Sequence, residues 1–457
     1  MQLVGRTATD LAARVRAGEV SAVEVTRAHL DHLAAVEHRL GAFVSVRRRA
    51  ALEDAEALDS RPDRGSLPLV GVPVAVKDVV DIAGEPTRYG SRALVASPAE
   101  KDDDVVTRLK EAGAVVLGKT RMPELGLWTN ADDPDGIAVS PWDPTRSAGG
   151  SSGGSGAAVT AGIVPLALAS DGLGSVRIPA ACCGAVGIKP GSPLAPEMFG
   201  DEHHWFGMSR FGPIATTVAD AALMLDVLSG VTAHREVAAV DRRLKVAVSW
   251  ATALPTVVSR TWIEAAIECG RLLNHAGHEV VHADPPYDQQ MVRAAMARWL
   301  AGAVADVERL GLDPERLQVR TRSHLGNAER AASVLPVREE DAERARGRML
   351  PFLEEHDAVV TPVLTRTQAA AVAWHERSWT ANAAVSIPSA TYPGVWNLVD
   401  VPVIAVPVWH DDGRPLSVQI AAGPGREELL FSIAAQLEQL APWARHAPGW
   451  GVPTTGD

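Results

Sequence analysis

Between residues 7 and 39 apolar side chains recur at helical spacing, with Leu11, Val15, Val23, Leu30 and Leu33 on the repeat. Thr7 with Asp10, and Ser21 with Glu24, have the form of capping boxes. Residues 47–59 read as a further, exposed helix. The period then changes. Leu69 to Val80 is short and rich in β-branched residues, the pattern of a buried strand. Asp104 to Gly113 predicts a helix and Ala114 to Lys119 a strand. The same order returns at 262–283, where a helix ends at His275, Gly277 follows, and Glu279 to His282 read as a strand. A strand at 416–421 precedes a helix over 427–440. Helices alternating with short apolar strands predict an α/β fold around a buried sheet. Arg338 to Arg348 is charged with mixed signs, as for a solvated helix face. No repeat of fixed period and no linker divides the chain, so one domain is expected over 1–457.

Composition narrows the function classes. The 457 residues are 46% apolar, which suits a globular protein with a sizeable core. No run approaches the 18 apolar residues of a membrane span, and the first residues lack a basic region followed by an apolar one. A net charge of −12 argues against nucleic acid as the main partner. The three cysteines, Cys182, Cys183 and Cys269, show neither a disulfide framework nor zinc spacing. They read as buried small hydrophobes in a reducing cytoplasm.

The chemistry concentrates in residues 146–179, where two glycine and serine clusters flank a small-residue apolar segment. The first is Gly149 to Ser155, and the second is Asp171 to Ser175 followed by Val176-Arg177-Ile178-Pro179. Several motifs compete. His278-Glu279-Val280-Val281-His282 matches HExxH, which binds zinc only on a helix. Here Gly277, the paired valines and Asp284-Pro285-Pro286 predict a strand, which separates the imidazoles by about 13 Å. Gly149-Gly150-Ser151-Ser152-Gly153 matches G-x-S-x-G, but two prolines and no apolar run precede it, where a nucleophile elbow needs a strand. Neither glycine cluster continues as a phosphate-binding loop.

A third arrangement fits better. Leu166 to Ala169 read as a strand leading to Asp171, after which a glycine loop enters a helix near Ser175. Backbone N–H groups at such a turn can hold an oxyanion. A serine hydroxyl needs a base, and no histidine occurs from 39 to 202. Lys77 is the candidate on a strand. On local sequence it fits two roles equally, a gatekeeper on an edge strand or a buried lysine whose charge desolvation disfavours.

With these residues the chain resembles the amidase signature family. The resemblance is densest in Gly71 to Asp78, Gly118-Lys119-Thr120, Gly149 to Ser155, Asp171 to Pro179 and Gly184 to Pro190. Phe211 to Ala215 and Asp412 to Gln419 extend it, so that it covers most of the chain. It implies a central mixed, mostly parallel β-sheet with helices on both faces. N-terminal helices would occupy about 7–60, a signature core about 66–230 and a variable pocket-lining region about 285–395. It further implies a Ser–Ser–Lys triad, with Ser175 as nucleophile, Ser151 as the bridge, typically through a cis peptide, and Lys77 as base and then acid. Backbone N–H groups of Gly172, Leu173, Gly174 and Ser175 would form the oxyanion hole. Asp171 and Arg177 would pin that loop as an ion pair, with Ser152 hydrogen-bonded in the same network.

The resemblance has departures. Leu173 stands where the family usually has glycine, and either takes a costly positive φ or keeps φ negative and narrows the pocket. Ser170 replaces a usual threonine, and Thr216 stands where arginine is common. Pocket residues are expected from loops 122–130, 192–211 and 374–397, with Trp128, Trp205 and Trp396 as candidates. Twelve tryptophans against three tyrosines suit apolar amide substrates and suit core packing equally well. His203-His204 reads as a surface pair. The reaction implied is hydrolysis of a carboxamide through an acyl-enzyme, giving a carboxylate and ammonia or an amine. The alternatives are the amidase subunit of a glutamine-dependent Glu-tRNA(Gln) amidotransferase and an acyl-transfer or amide-forming biosynthetic enzyme. No cofactor and no metal are expected. The expected partner is a small-molecule amide, with no nucleic acid or membrane, and a homodimer is the oligomer allowed for.

Overall fold

The N-terminal helical run is two helices, because Thr7 and Ser21 each start one. The Thr7 hydroxyl accepts from the Asp10 N–H, and Ser21 and Glu24 form a complete capping box. The computed structural model describes residues 2–452 apart from 96, 193, 195–197, 200–202, 233–236, 238–239 and 241. Its helices are α1 (Ala8–Ala17), α2 (Ala22–Leu40), α3 (Arg48–Asp59), α4 (Asp104–Glu111), α5 (Gly153–Thr160), α6 (Arg177–Cys183) and α7 (Val218–Ser229). They continue with α8 (Arg260–His275), α9 (Gln289–Arg309), α10 (Val319–Ala331), α11 (Glu339–Glu355), α12 (Trp379–Ala390), α13 (Pro393–Val399) and α14 (Glu427–Leu440).

One 11-stranded sheet organises them. Its strands are β1 (Phe43–Val46), β2 (Pro73–Lys77), β3 (Val115–Thr120), β4 (Leu166–Asp171), β5 (Val186–Lys189) and β6 (Arg210–Ala215). The rest are β7 (Lys245–Val248), β8 (Glu279–His282), β9 (Ala358–Pro362), β10 (Val403–Asp411) and β11 (Arg414–Ala421). The order across the sheet is β1-β3-β2-β4-β6-β5-β10-β11-β9-β7-β8. The sheet is mixed, as expected, and its parallel character is confined to two runs: β2 with β3 and β4, and β7 with β8 and β9. Antiparallel ladders fill the middle and close the edge at β1. Every residue of β2, β3, β4, β5 and β6 is buried. Successive side chains point to opposite faces, so both faces of this part of the sheet are covered.

One sequence reading changes here and another holds. A short strand, Asp143–Ser147, does precede the first glycine cluster, paired with Val139–Ser140 outside the main sheet. Its ladder is local, which is why no apolar run announces it. The cluster itself continues into α5, a fully buried helix that packs on β2, β4 and β6. A side chain at Gly154 would come within 2.3 Å of the Ala42 carbonyl oxygen, so this helix lies close enough to its neighbours to require glycine. The HExxH stretch is a strand, as its valines predict. His278 is buried, with Nδ1 accepting from the Leu244 N–H and Nε2 against Gln436, whereas His282 lies beside Trp250.

Candidate active site

Lys77 ends β2, an inner strand with β3 on one side and β4 on the other. The edge-strand reading is thereby excluded. Val76 is level with Leu168, so Lys77 and Ser170 lie at the carboxyl ends of neighbouring parallel strands, where α/β sheets place ligands. Lys77 is 1% exposed. Its Nζ donates to Ser151 Oγ at 2.7 Å, to Ser170 Oγ at 2.9 Å and to the Ser170 carbonyl at 3.5 Å. Burial drives the Lys77 pKa down to about 7, against the partial opposition of the Asp171 charge. Ser170 was noted in the sequence only as a replaced threonine. Its hydroxyl is a second acceptor for this lysine.

Ser151 and Ser152 sit at the turn into α5. The Gly150–Ser151 peptide is cis, as the resemblance implied. Ser152 ties the turn to the other cluster: its N–H donates to the Ser175 carbonyl at 3.3 Å and its hydroxyl to the Ser170 carbonyl at 3.2 Å. Ser175 lies two residues before α6, half-buried. It shares a cavity with Lys77, Ser151 and Ser170.

The loop between β4 and α6 is fixed by Asp171. Oδ1 accepts from the Gly174 N–H at 2.6 Å and Oδ2 from the Val176 N–H at 3.1 Å. Arg177 meets the same carboxylate through both ends of its guanidinium, at 3.0 Å each, and neither side chain is exposed. Burial pushes the Asp171 carboxyl up, but Arg177, Asn397 and Lys189 more than offset this and hold it well below the usual range. Asn397 donates to Asp171 Oδ1 at 2.9 Å and accepts from Arg177 at 2.6 Å, and Gln419 accepts from Arg177 at 3.0 Å. Sequence reasoning gave Asn397 no role. Its distance along the chain hid it, and only the fold brings α13 to the loop.

One expected oxyanion donor is corrected. The Gly174 N–H is directed at Asp171, so Gly172, Leu173 and Ser175 are the amides of that set which do not donate to this carboxylate. Leu173 is absent from the residues with positive φ, and it lines the larger of two cavities. It therefore narrows the pocket without backbone strain. The strained position is Gly174, at φ 108°, where a Cβ would also lie 2.6 Å from Pro393 Cβ. Gly174→Ala is expected to displace the loop and its other amides, and to lower kcat by about 10²-fold, the loss typical when one such donor is misplaced. Steady-state kinetics beside an unchanged far-ultraviolet spectrum checks it.

The larger cavity adjoins the first, and Gly126, Ser175 and Trp205 line both. Its lining includes Trp128, Leu173, Met296, Trp299, Ile387 and Val395, and no ionisable side chain among the described residues. Trp128 and Trp205 are at the cavities as expected. Trp396 is not. It is fully buried against Tyr287, and its neighbours Gly394 and Val395 reach the cavity instead, because adjacent helix residues point about 100° apart. Helix α9 supplies Val292, Ala295, Met296 and Trp299, which no local motif marks. His204 is no surface residue: its Nε2 lies 3.1 Å from Asp306 Oδ1 and it lines the smaller cavity. Residues 193, 195–197 and 200–202 of the expected loop 192–211 lie outside the described residues. Among the described residues no group of three or more His, Cys, Asp or Glu is placed to hold a metal ion.

The comparisons with known proteins agree with one another. A family model described as Amidase matches residues 24–431. The protein AmiB2 of Mycobacterium tuberculosis is 38% identical over 449 residues, covering 94% of this chain and 95% of its own length. An acylamidase of Rhodococcus erythropolis is 32% identical, covering 97% of each chain. A solved structure of 6-aminohexanoate cyclic dimer hydrolase with its substrate superposes with a TM-score of 0.86 at 27% identity, over 97% of this chain and 99% of that one.

Proposed function

We propose, for a chain that belongs to the amidase family and hydrolyses linear amide C–N bonds, that the reaction runs through an acyl-enzyme on Ser175. The observation that carries this reading is the buried Lys77 Nζ, 2.7 Å from Ser151 Oγ, in the cavity that Ser175 also lines. Neutral Lys77 takes a proton from Ser151 as Ser151 takes one from Ser175. The Ser175 Oγ adds to the carbonyl carbon, and the negative oxygen is held by loop amides. Collapse breaks the C–N bond, and the proton returns through Ser151 to the leaving nitrogen. An amine leaves poorly unless protonated, which is why one group must act as base and then as acid. Water attacks the Ser175 ester by the same relay in reverse and releases the carboxylate.

The apolar lining of the larger cavity supports small-molecule amides with an apolar portion. All three cysteines are buried thiols, which supports a cytoplasmic location. No described helix is long and apolar enough to cross a membrane. The test is covalent trapping. A fluorophosphonate should add once per chain, on the peptide carrying Ser175, with loss of amide turnover in the same proportion. Labelling confined to another serine while turnover falls would overturn the assignment. Offering hydroxylamine or a simple amine beside water to the acylated enzyme separates hydrolysis from acyl transfer.

A further inference from the structure

Trp205 occupies an unusual place. Its backbone is left-handed, with φ 52°, a conformation that bulky side chains rarely adopt. The indole is wedged between two glycines. A Cβ on Gly172, in the loop beside Ser175, would lie 3.0 Å from the ring, and a Cβ on Gly302, in α9, would lie 2.8 Å from it. Its Nε1–H donates to Asp306 Oδ2 at 2.9 Å. The other oxygen of that carboxylate accepts from Arg309 at 2.9 Å and faces His204 Nε2 at 3.1 Å. Three partners thus hold the carboxylate, and the carboxylate and two glycines hold the ring.

The ring stands where the two cavities meet, and their linings differ in kind. The larger holds no ionisable side chain among the described residues. The smaller mixes apolar residues such as Met122, Leu125 and Phe199 with the ionisable Tyr89, His204, Asp306 and Arg309, besides Lys77 and Ser151. On the acyl-enzyme reading, on which this step rests, the leaving nitrogen must receive its proton from Lys77 through Ser151. Both line the smaller cavity and neither lines the larger. The leaving amine therefore belongs on the polar side and the acyl group on the apolar side.

We propose that Trp205 is the partition between an apolar acyl arm and a polar leaving-group arm, and that it selects amides of bulky apolar acids with small, hydrogen-bonding leaving amines. Trp205 acts here as a specificity-determining residue, with no part in proton transfer. Asp306 is its positioning residue.

Two isomeric amides test this, because they carry the same atoms with the apolar group on opposite sides of the carbonyl. In 4-phenylbutanamide the phenyl group is on the acyl side and ammonia leaves. In N-(2-phenylethyl)acetamide the phenyl group is on the leaving amine. The wild-type protein is expected to favour the first by about 100-fold or more in kcat/KM, the discrimination that shape can give a pocket. Trp205→Ala joins the arms and should bring the ratio to about tenfold or less, mainly by raising turnover of the second amide. Gly302→Ala keeps the tryptophan but pushes on its ring, and should lower the ratio by about threefold to tenfold should Trp205→Ala not fold. A wild-type ratio below tenfold, or an unchanged ratio in whichever of the two variants folds, overturns the partition. Both amides should be inert to Ser175→Ala. Turnover persisting there would overturn the acyl-enzyme reading instead, so the two failures are told apart.

Discussion

Lys77→Ala is expected to lower kcat/KM for amide hydrolysis by about 10⁴-fold or more, since the same amine serves in two steps each worth about 10²–10⁴. The fold should survive. The lysine is buried with no direct carboxylate partner among the described residues, and its hydrogen bonds go to Ser151 and Ser170, so truncation removes a desolvated amine and exposes no unpaired charge. The pH profile carries the second half of the expectation. With the Lys77 pKa lowered to about 7, the base is protonated and inactive below that value and free above it. The wild-type kcat/KM should thus rise through about pH 7 and level off above it. The sign follows from the role: a base works when deprotonated, and burial makes deprotonation easier. In Lys77→Ala the residual rate should lose that limb. A variant within tenfold of wild type, or one that retains the ionisation near 7, would remove Lys77 from the relay.

Asp171→Asn is expected to damage both stability and turnover. The exchange leaves the Arg177 guanidinium in the interior without its counter-charge, and breaking a buried pair in this way costs about 3–5 kcal/mol. It also weakens the carboxylate contacts to the Gly174 and Val176 amides that shape the loop ahead of Ser175. Urea unfolding and amide kinetics on the same preparations read the two effects. Adding Arg177→Met should recover part of the stability, because no unpaired charge then remains, while activity stays low. Activity returning with stability would mean that the pair only holds the core together. Unfolding within about 1 kcal/mol of wild type for Asp171→Asn would mean that Asn397 and Gln419 suffice to hold Arg177.

Several positions were legible because their chemistry is local. Thr7 and Ser21 cap the residues three ahead of them, so α1 and α2 could be placed from short stretches. Asp171 and Arg177 lie six residues apart at the two ends of one loop, which permits their pairing. Other positions could not be read in that way. Asn397, Gln419, Asp306 and Gly302 reach the site across about a hundred residues of chain or more, and no local pattern marks an asparagine as a loop anchor or a glycine as room for an indole. Trp396 shows the converse. Its residue type suggested a pocket wall, but helix phase turned it into the core and set Gly394 and Val395 at the cavity.

The sequence by itself determined the alternation of helices and strands, the glycine loops and the residue types that acid–base chemistry needs. Each of these depends on neighbours within about one turn or one strand, where propensity and periodicity act. Only the tertiary structure decided whether Lys77 was an edge charge or a desolvated amine. That choice depends on which strands flank β2, and strand order is set by packing over the whole sheet. The tertiary structure likewise decided which loop amides remain free of Asp171 and which tryptophans face open space. Burial and hydrogen-bond direction belong to the assembled fold, since they are fixed by atoms that meet only when distant segments come together.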